Sequence, residues 1–395
     1  MSATDRIFDP KLAFMAVLAI AVSQYAVFVA ALFGVSADYT FGGDFAAFWS
    51  AARETLEGGM AGLYAPEGLD RAIQMHSPHK DLDGLTWQYP PHSTLIFSPI
   101  GLLPFSVAYG VWCVMGLLVY TLALWSIGLR DRLLVVALAT VPVVLTLKTG
   151  QNALFMGALL IITVFNARSR PLIAGLAAAF LTTKPQLGLL LPILFIAAGY
   201  WRAAFYASLG SAAALAASVG IVGIETWGRF FEALTSVSGA VADGDMPIFK
   251  MINLYAAAQL LGLPDMLAAS VAAGGLMIAA GILVWVTRAT DDPKWQYAAL
   301  AVLTLIATPY SYHYELVLVV PAILFVLQRG FSAGWLRFER ELIALALLLT
   351  LAIPGLPIRS GISINFVLMA LLAVIVLRRI KVDLAPAPAQ SLQPA

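Results

Sequence analysis

Apolar runs recur along this chain from Lys11 to Lys381, and they decide most of what it can fold into. They lie at about 12–34, 94–128, 133–147, 151–166, 171–182, 187–200, 203–223, 264–288, 297–309, 315–328, 341–353 and 363–378. A soluble domain covers its core with about 25% charged residues. This chain is 61% hydrophobic and only 11% charged, with mean hydropathy +0.88. The predicted fold class is therefore all-α, a polytopic transmembrane helical bundle of about 10–12 membrane segments. Helices suit that medium because they satisfy their own backbone polar groups without water.

Three function classes lose support at once. The net charge of +1 comes without a long basic block, so no nucleic acid is expected as a partner. The single cysteine, Cys113, lies within an apolar run, which leaves no intrachain disulfide and no cysteine-rich metal site. Neither G-x-x-x-x-G-K-[ST] nor G-x-G-x-x-G after a strand occurs, so coupling to ATP has no support. The first run, Leu12 to Val35, has spanning length and lacks a small-residue cleavage site, so it reads as an anchor and not a signal peptide.

Several runs are shorter than the roughly 20 residues of a straight span. They come in pairs, hinged at Lys148–Asn152, Thr182–Gln186 and Pro309–Glu315. Broken backbone at membrane depth is tolerated only where protein or water covers it. Lys and Arg in the short loops set the orientation. With the N-terminus inside, the inner loops hold Arg130, Arg132, Arg168, Arg170, Arg202, Arg288, Lys294, Arg329, Arg337 and Arg340. Both termini are then cytoplasmic, and residues 35–93 and all three hinges share the outer side. The expected organisation is one integral membrane domain over 1–383, with 35–93 as its first extracytoplasmic loop bearing short surface helices. A Pro/Ala-rich tail, 384–395, is expected to be disordered.

Ionisable groups at a membrane are costly and point to function. Asp44 follows Gly42 and Gly43 at the exit of the first run, with Phe45, Phe48 and Trp49 placed to anchor the interface. It can take a proton from a hydroxyl, or it can cap the helix that begins there; a base needs a free oxygen. The loop histidines His76, His79 and His92 match no metal-ligand spacing, so no metal site is expected. Tyr89 opens "YPP", a rigid turn back toward the membrane. Lys184, before Pro185 in "TTKPQ", either snorkels to the surface or meets a phosphate as a compact cation. Lys148 in "KTGQN" is a second such cation, and Gln151 and Asn152 beside it suit a sugar or phosphate. "TPYSYHYE" gathers Tyr312, His313 and Glu315, a mixture of rings and polar tips that suits a carbohydrate.

The ordered set "GGDFAAFW", "LY", "YPP", "LLP", "GQN", "KPQ" and "TPYSYHYELVLVVPAIL" resembles glycosyltransferase family 87, over about residues 38 to 330. The resemblance implies the GT-C architecture and a polyprenyl-phosphate sugar as donor, typically of mannose. It implies transfer to an acceptor hydroxyl on the outer face of a bacterial inner membrane, with inversion and without a divalent metal or other cofactor. It also implies that Asp44 is the general base, with Lys184 near the donor phosphate and Gln186 beside it. The acceptor is a glycolipid or polysaccharide that the sequence does not name. "YHYE" departs from the order found in many relatives, which leaves the roles of His313 and Glu315 open.

Chemistry is compatible with that expectation. Phosphate is a good leaving group that needs a cation more than an acid. A retaining double displacement would want a second carboxylate near Asp44. Two other readings fit an apolar chain with broken helices. A lipid-linked glycan transporter would show midplane binding groups and repeat symmetry. Another polymerase or ligase using lipid-linked glycans would share the same outer-face groups.

Overall fold

The computed structural model describes residues 42–79, 82, 85–242, 248–352 and 363–385, with six further positions between 15 and 26. Those six (Met15, Ala19, Val22, Ser23, Tyr25 and Ala26) are helical, and the rest of the first apolar run lies outside the described residues. So does nearly all of the tail expected to be disordered.

After the first apolar run come α1 (Gly43–Leu56), α2 (Gly68–His76) and α3 (Pro91–Phe97). Then come α4 (Phe105–Ser126), α5 (Asp131–Leu138), α6 (Val141–Thr149), α7 (Ala153–Asn166), α8 (Pro171–Leu181) and α9 (Leu191–Ala198). The second half holds α10 (Trp201–Val222), α11 (Ile224–Ala242), α12 (Leu254–Leu260), α13 (Asp265–Ala289) and α14 (Pro293–Ala307). It ends with α15 (Val320–Ala333), α16 (Glu339–Ala352) and α17 (Ile364–Asp383). Short 3₁₀ turns occupy Met60–Tyr64, Ser98–Leu102, Pro185–Gly188, Ile248–Lys250 and His313–Val319. Among the described residues there is no strand, only one antiparallel bridge between Met251 and Tyr312. The chain is an all-α, multi-pass helical membrane protein.

Prolines write many of the boundaries. Pro142, Pro171, Pro192, Pro293 and Pro321 stand at the first positions of their helices, where a missing N–H costs nothing. Pro104 explains one departure from the sequence reading. The apolar stretch 94–128 is not one long segment, because α3 and a 3₁₀ turn end before Pro104 and α4 starts after it. Among the described residues four helices are long and apolar enough to cross a membrane, rising to five if α5 and α6, bent by 48°, count as one span. The expected 10–12 segments thus include several pieces, such as α7 and α8, too short to cross alone.

The core centres on α14. Twelve of its fifteen residues are buried, and it touches α7, α13, α15 and α17, as a helix apolar all round should. By contrast α10 fully buries only Ala203 and Ser218, and its exposed apolar side chains, Phe205 and Leu209 among them, face lipid. Small residues let α8 meet α10 closely: a Cβ on Gly175 would lie 2.4 Å from that of Tyr206. Close backbone approach of this kind supplies the van der Waals contact that holds helices together in lipid. On the expected inner side, Arg379 and Glu339 form a buried pair between α16 and α17, with Nε donating to Oε1 at 2.9 Å. Arg379 is therefore a structural partner within the bundle.

Candidate active site

All three broken-helix hinges converge on the first loop. Gly42, not Asp44, is the N-cap of α1, with φ of 71° and no side-chain cap. Asp44 therefore sits inside the first turn, where a carboxylate favours the helix dipole, and its oxygens are not consumed by capping. Gln151 of "KTGQN" donates its Nε2–H to Asp44 Oδ2 at 2.9 Å. Among the described residues it is the partner of that carboxylate, which leaves Oδ1 able to accept from a substrate hydroxyl. Asp44 is half-buried, and desolvation lifts its carboxyl above the ordinary value. The hydrogen bond from Gln151 and the charges of Lys250 and Lys184 pull the other way and lose.

The local backbone dictates this meeting. Gly42 N–H donates to the Lys148 carbonyl at 2.8 Å, and the Tyr109 hydroxyl donates to the Leu147 carbonyl at 2.6 Å. Gly150 ends α6 with φ of 75°, and a Cβ there would fall 2.4 Å from the Cβ of Phe45. Only glycine fits both demands. Phe45, Phe48 and Trp49, expected to anchor the membrane interface, instead pack inward against Trp87, Tyr89, Phe97, Phe105, Tyr109 and Trp112. Rings spaced to match an interface belt are equally matched to a buried aromatic core, and burial of their area wins here.

The second hinge is tied to α3. His92 Nε2 lies 3.1 Å from Thr182 Oγ1, and Ser93 Oγ donates to the Thr183 carbonyl at 3.1 Å. Lys184 follows at once. It is buried, and its Nζ stands 2.5 Å from Glu315 Oε1 of the third hinge. The ammonium also lies 5.1 Å above the Tyr314 ring and 6.0 Å from the centre of the Tyr89 ring. Snorkelling is thereby ruled out for Lys184. Glu315 accepts the Tyr312 backbone N–H at 2.9 Å, so it also starts the 3₁₀ turn that carries it. Thr146 Oγ1 donates to the Tyr314 carbonyl at 3.3 Å and joins the first hinge to the third.

The remaining residues singled out in the sequence take these places. Tyr89 is half-buried between Phe48 and Lys184, and the charges of Asp44, Lys184 and Glu315 all act on it. Tyr312 is buried against Tyr310 and Tyr314. His313 Nδ1 donates to the Lys250 carbonyl at 3.1 Å. Asn152 is fully enclosed at the N-cap of α7, with both amide atoms unpartnered. Gln186 is half-buried on its 3₁₀ turn, and Lys148 is half-buried at the end of α6. The loop histidines scatter: His76 pairs with Glu54 at 3.1 Å, His79 meets the Phe105 ring, and His92 stacks on Trp227. Among the described residues no group of three or more metal-ligating side chains forms.

Lys250 is the residue that the sequence did not single out. It lies inside no motif and far from Asp44 in the chain. No local pattern could have marked it.

Comparison with known proteins adds one finding. The model of glycosyltransferase family 87 matches residues 87–309, more than half of the chain. The match takes in "YPP", "GQN" and "KPQ"; Asp44 and the "YHYE" turn lie outside it. No curated protein and no solved structure matches.

Proposed function

The chain belongs to glycosyltransferase family 87, and from that premise we propose that it moves a hexose, mannose foremost, from a polyprenyl-phosphate donor to an acceptor hydroxyl. The acceptor is a glycolipid or polysaccharide at the outer face of a bacterial inner membrane, with both termini of the chain cytoplasmic. The observation that carries the reading is Asp44, held by Gln151 through one oxygen with the other open, where three hinges meet.

In this mechanism the acceptor O–H donates to Asp44 Oδ1. Its oxygen attacks the anomeric carbon as the bond to the phosphate oxygen breaks. The proton passes to Asp44, the electron pair leaves with polyprenyl phosphate, and the configuration inverts. Desolvation suits the base to its task, because a carboxylate with a raised pKa holds a proton better than one in water. Glu315 is engaged by Lys184 and the Tyr312 N–H. That engagement argues against Glu315 as the second carboxylate of a retaining reaction. Tyr89, Tyr312, His313 and Gln151 are proposed to line the sugar, with Lys184, Gln186 and Lys148 on the phosphate side. The proposed transfer uses no divalent metal.

The test is mass spectrometry of the purified protein supplied with polyprenyl-phosphate mannose and extracted envelope lipids, run beside Asp44→Asn. A hexose-shifted lipid product made by the wild type and lost in the variant supports the reading. Equal product from both proteins removes Asp44 as the base. No product from a folded wild type that binds the donor overturns the assignment of donor sugar or acceptor.

A further inference from the structure

The enclosed charges of the site do not balance once a donor enters. Asp44 and Glu315 are two carboxylates, and Lys184 is one cation already committed to Glu315 at 2.5 Å. A phosphodiester adds a further negative charge beside Asp44 in a poorly solvated place. Charge taken out of water without a partner costs far more than one that is paired. Some cation outside the Lys184–Glu315 pair has to face the phosphate, and Lys148, half-buried at the end of α6, already has a partner of its own.

Lys250 is placed for it. The segment around it is fastened on several sides: His313 Nδ1 donates to its carbonyl at 3.1 Å, and Ile252 N–H donates to the Ser311 carbonyl at 3.0 Å. Met251 bridges Tyr312, Asn365 Nδ2 donates to the Phe249 carbonyl at 2.7 Å, and Ser363 Oγ donates to the Met251 carbonyl at 3.3 Å. The backbone of Lys250 is thus locked to the turn that carries Tyr312, His313 and Glu315. Its side chain remains exposed and, among the described residues, has no carboxylate partner such as the one that occupies Lys184. Of the two cations acting on Asp44, Lys250 acts the more strongly.

We infer that Lys250 is the cation that receives the donor's phosphate, while Lys184, bound to Glu315, organises the hinges behind it. This rests on the lipid-phosphate reading above. It assigns the phosphate contact to a residue outside every motif, and it makes Lys184 a positioning residue. The exposed ammonium also draws an anionic headgroup toward the site before contact, an attraction that salt screens beyond about 8 Å at physiological ionic strength.

The experiment measures binding of sugar-free undecaprenyl phosphate to the full-length protein in neutral detergent, and in parallel the KM for polyprenyl-phosphate mannose. Lys250→Gln is expected to weaken lipid-phosphate binding and raise KM by about ten-fold, with Lys250→Arg restoring both. High salt should shrink the difference between wild type and Lys250→Gln. Among folded molecules the acid limb of the pH–rate curve should also move to higher pH in Lys250→Gln. The groups that act on Asp44 from the surrounding elements are Gln151, Lys250 and Lys184, and Tyr89, Tyr109, Tyr312 and Tyr314 feel its charge in turn. Of these only Lys250 is changed. Wild-type binding, KM and pH curve in an active Lys250→Gln protein would overturn the inference and leave the transferase reading standing. Lipid-phosphate binding that depends on Lys250, with no hexose transfer by the wild type, would sink the transferase reading and keep the cation.

Discussion

Lys184 Nζ stands 2.5 Å from Glu315 Oε1, and both side chains are buried where the second and third hinges meet. The pair is 131 residues apart in sequence (315 − 184) and closes the wall behind Tyr89 and Tyr314. A buried ion pair adds little net stability over apolar residues of similar size, yet losing one partner strands the other charge.

Either Lys184→Met or Glu315→Gln should therefore cost about 3–5 kcal/mol of stability. The double variant should recover much of that loss while transfer stays impaired, since the hinges would no longer be held in register. Thermal unfolding in detergent across the double-mutant cycle checks this. Additive single effects would show that the two groups are not coupled in the folded protein.

The Asp44 carboxyl is raised by desolvation, and the base works only when deprotonated. Activity should fall as pH drops through that raised value, so the acid limb lies above the ordinary carboxylate range. Gln151→Leu deletes a hydrogen bond that favours the charged form, and should push the limb to still higher pH. A pH–rate curve for each protein decides it; a limb that moves down in Gln151→Leu contradicts the assignment.

The same shift predicts a stability effect of opposite direction to the activity loss. A carboxyl whose folded pKa is raised binds its proton more tightly folded than unfolded, so stability falls as pH rises through that interval. At pH values above its unfolded pKa the desolvated Asp44 carboxyl therefore works against the fold. Asp44→Asn should unfold at a higher temperature than wild type near pH 7, and the difference should shrink in acid. A variant less stable than wild type at neutral pH would show that the carboxylate is structurally required.

Gly150→Ala should lose both stability and turnover. The left-handed φ of 75° alone costs a non-glycine residue about 1–2 kcal/mol. The added Cβ also meets the Phe45 Cβ at 2.4 Å, which must displace Gln151 from Asp44. A misplacement of about 1 Å can cost roughly 10²-fold in rate. Gly128→Ala is the control, with φ of 85° but nothing within 4 Å of its Cβ. It should share the strain and keep the turnover of each folded molecule, as kcat beside melting temperature will show.

At the other end of the bundle, Arg379→Met should strand Glu339 and destabilise by about 3–5 kcal/mol. Molecules that remain folded should keep their KM for the donor, because the pair joins α16 to α17 away from the hinges. A changed KM in the folded fraction would show coupling between the two ends of the bundle.

That this chain is a helical membrane protein follows from its composition, because its charge content cannot cover its apolar surface in water. The sequence also marked the broken helices, since proline and glycine act on their own backbone, and it ordered the motifs that carry the family. Residues matched to one another locally, such as Gly42 with Asp44 or Lys184 with Pro185, were legible for that reason. Tertiary structure alone decided who meets whom: that Gln151 grips Asp44, that Glu315 holds Lys184, and that Phe45 and Phe48 face inward and not toward lipid. Sequence periodicity gives a side chain's face and chemical type, whereas burial and pairing depend on contacts between segments a hundred residues apart. Lys250 shows the limit most plainly. Nothing near it in sequence distinguishes it from any exposed lysine, and its meaning comes from the backbone anchors that set it beside Tyr312, His313 and the field of Asp44.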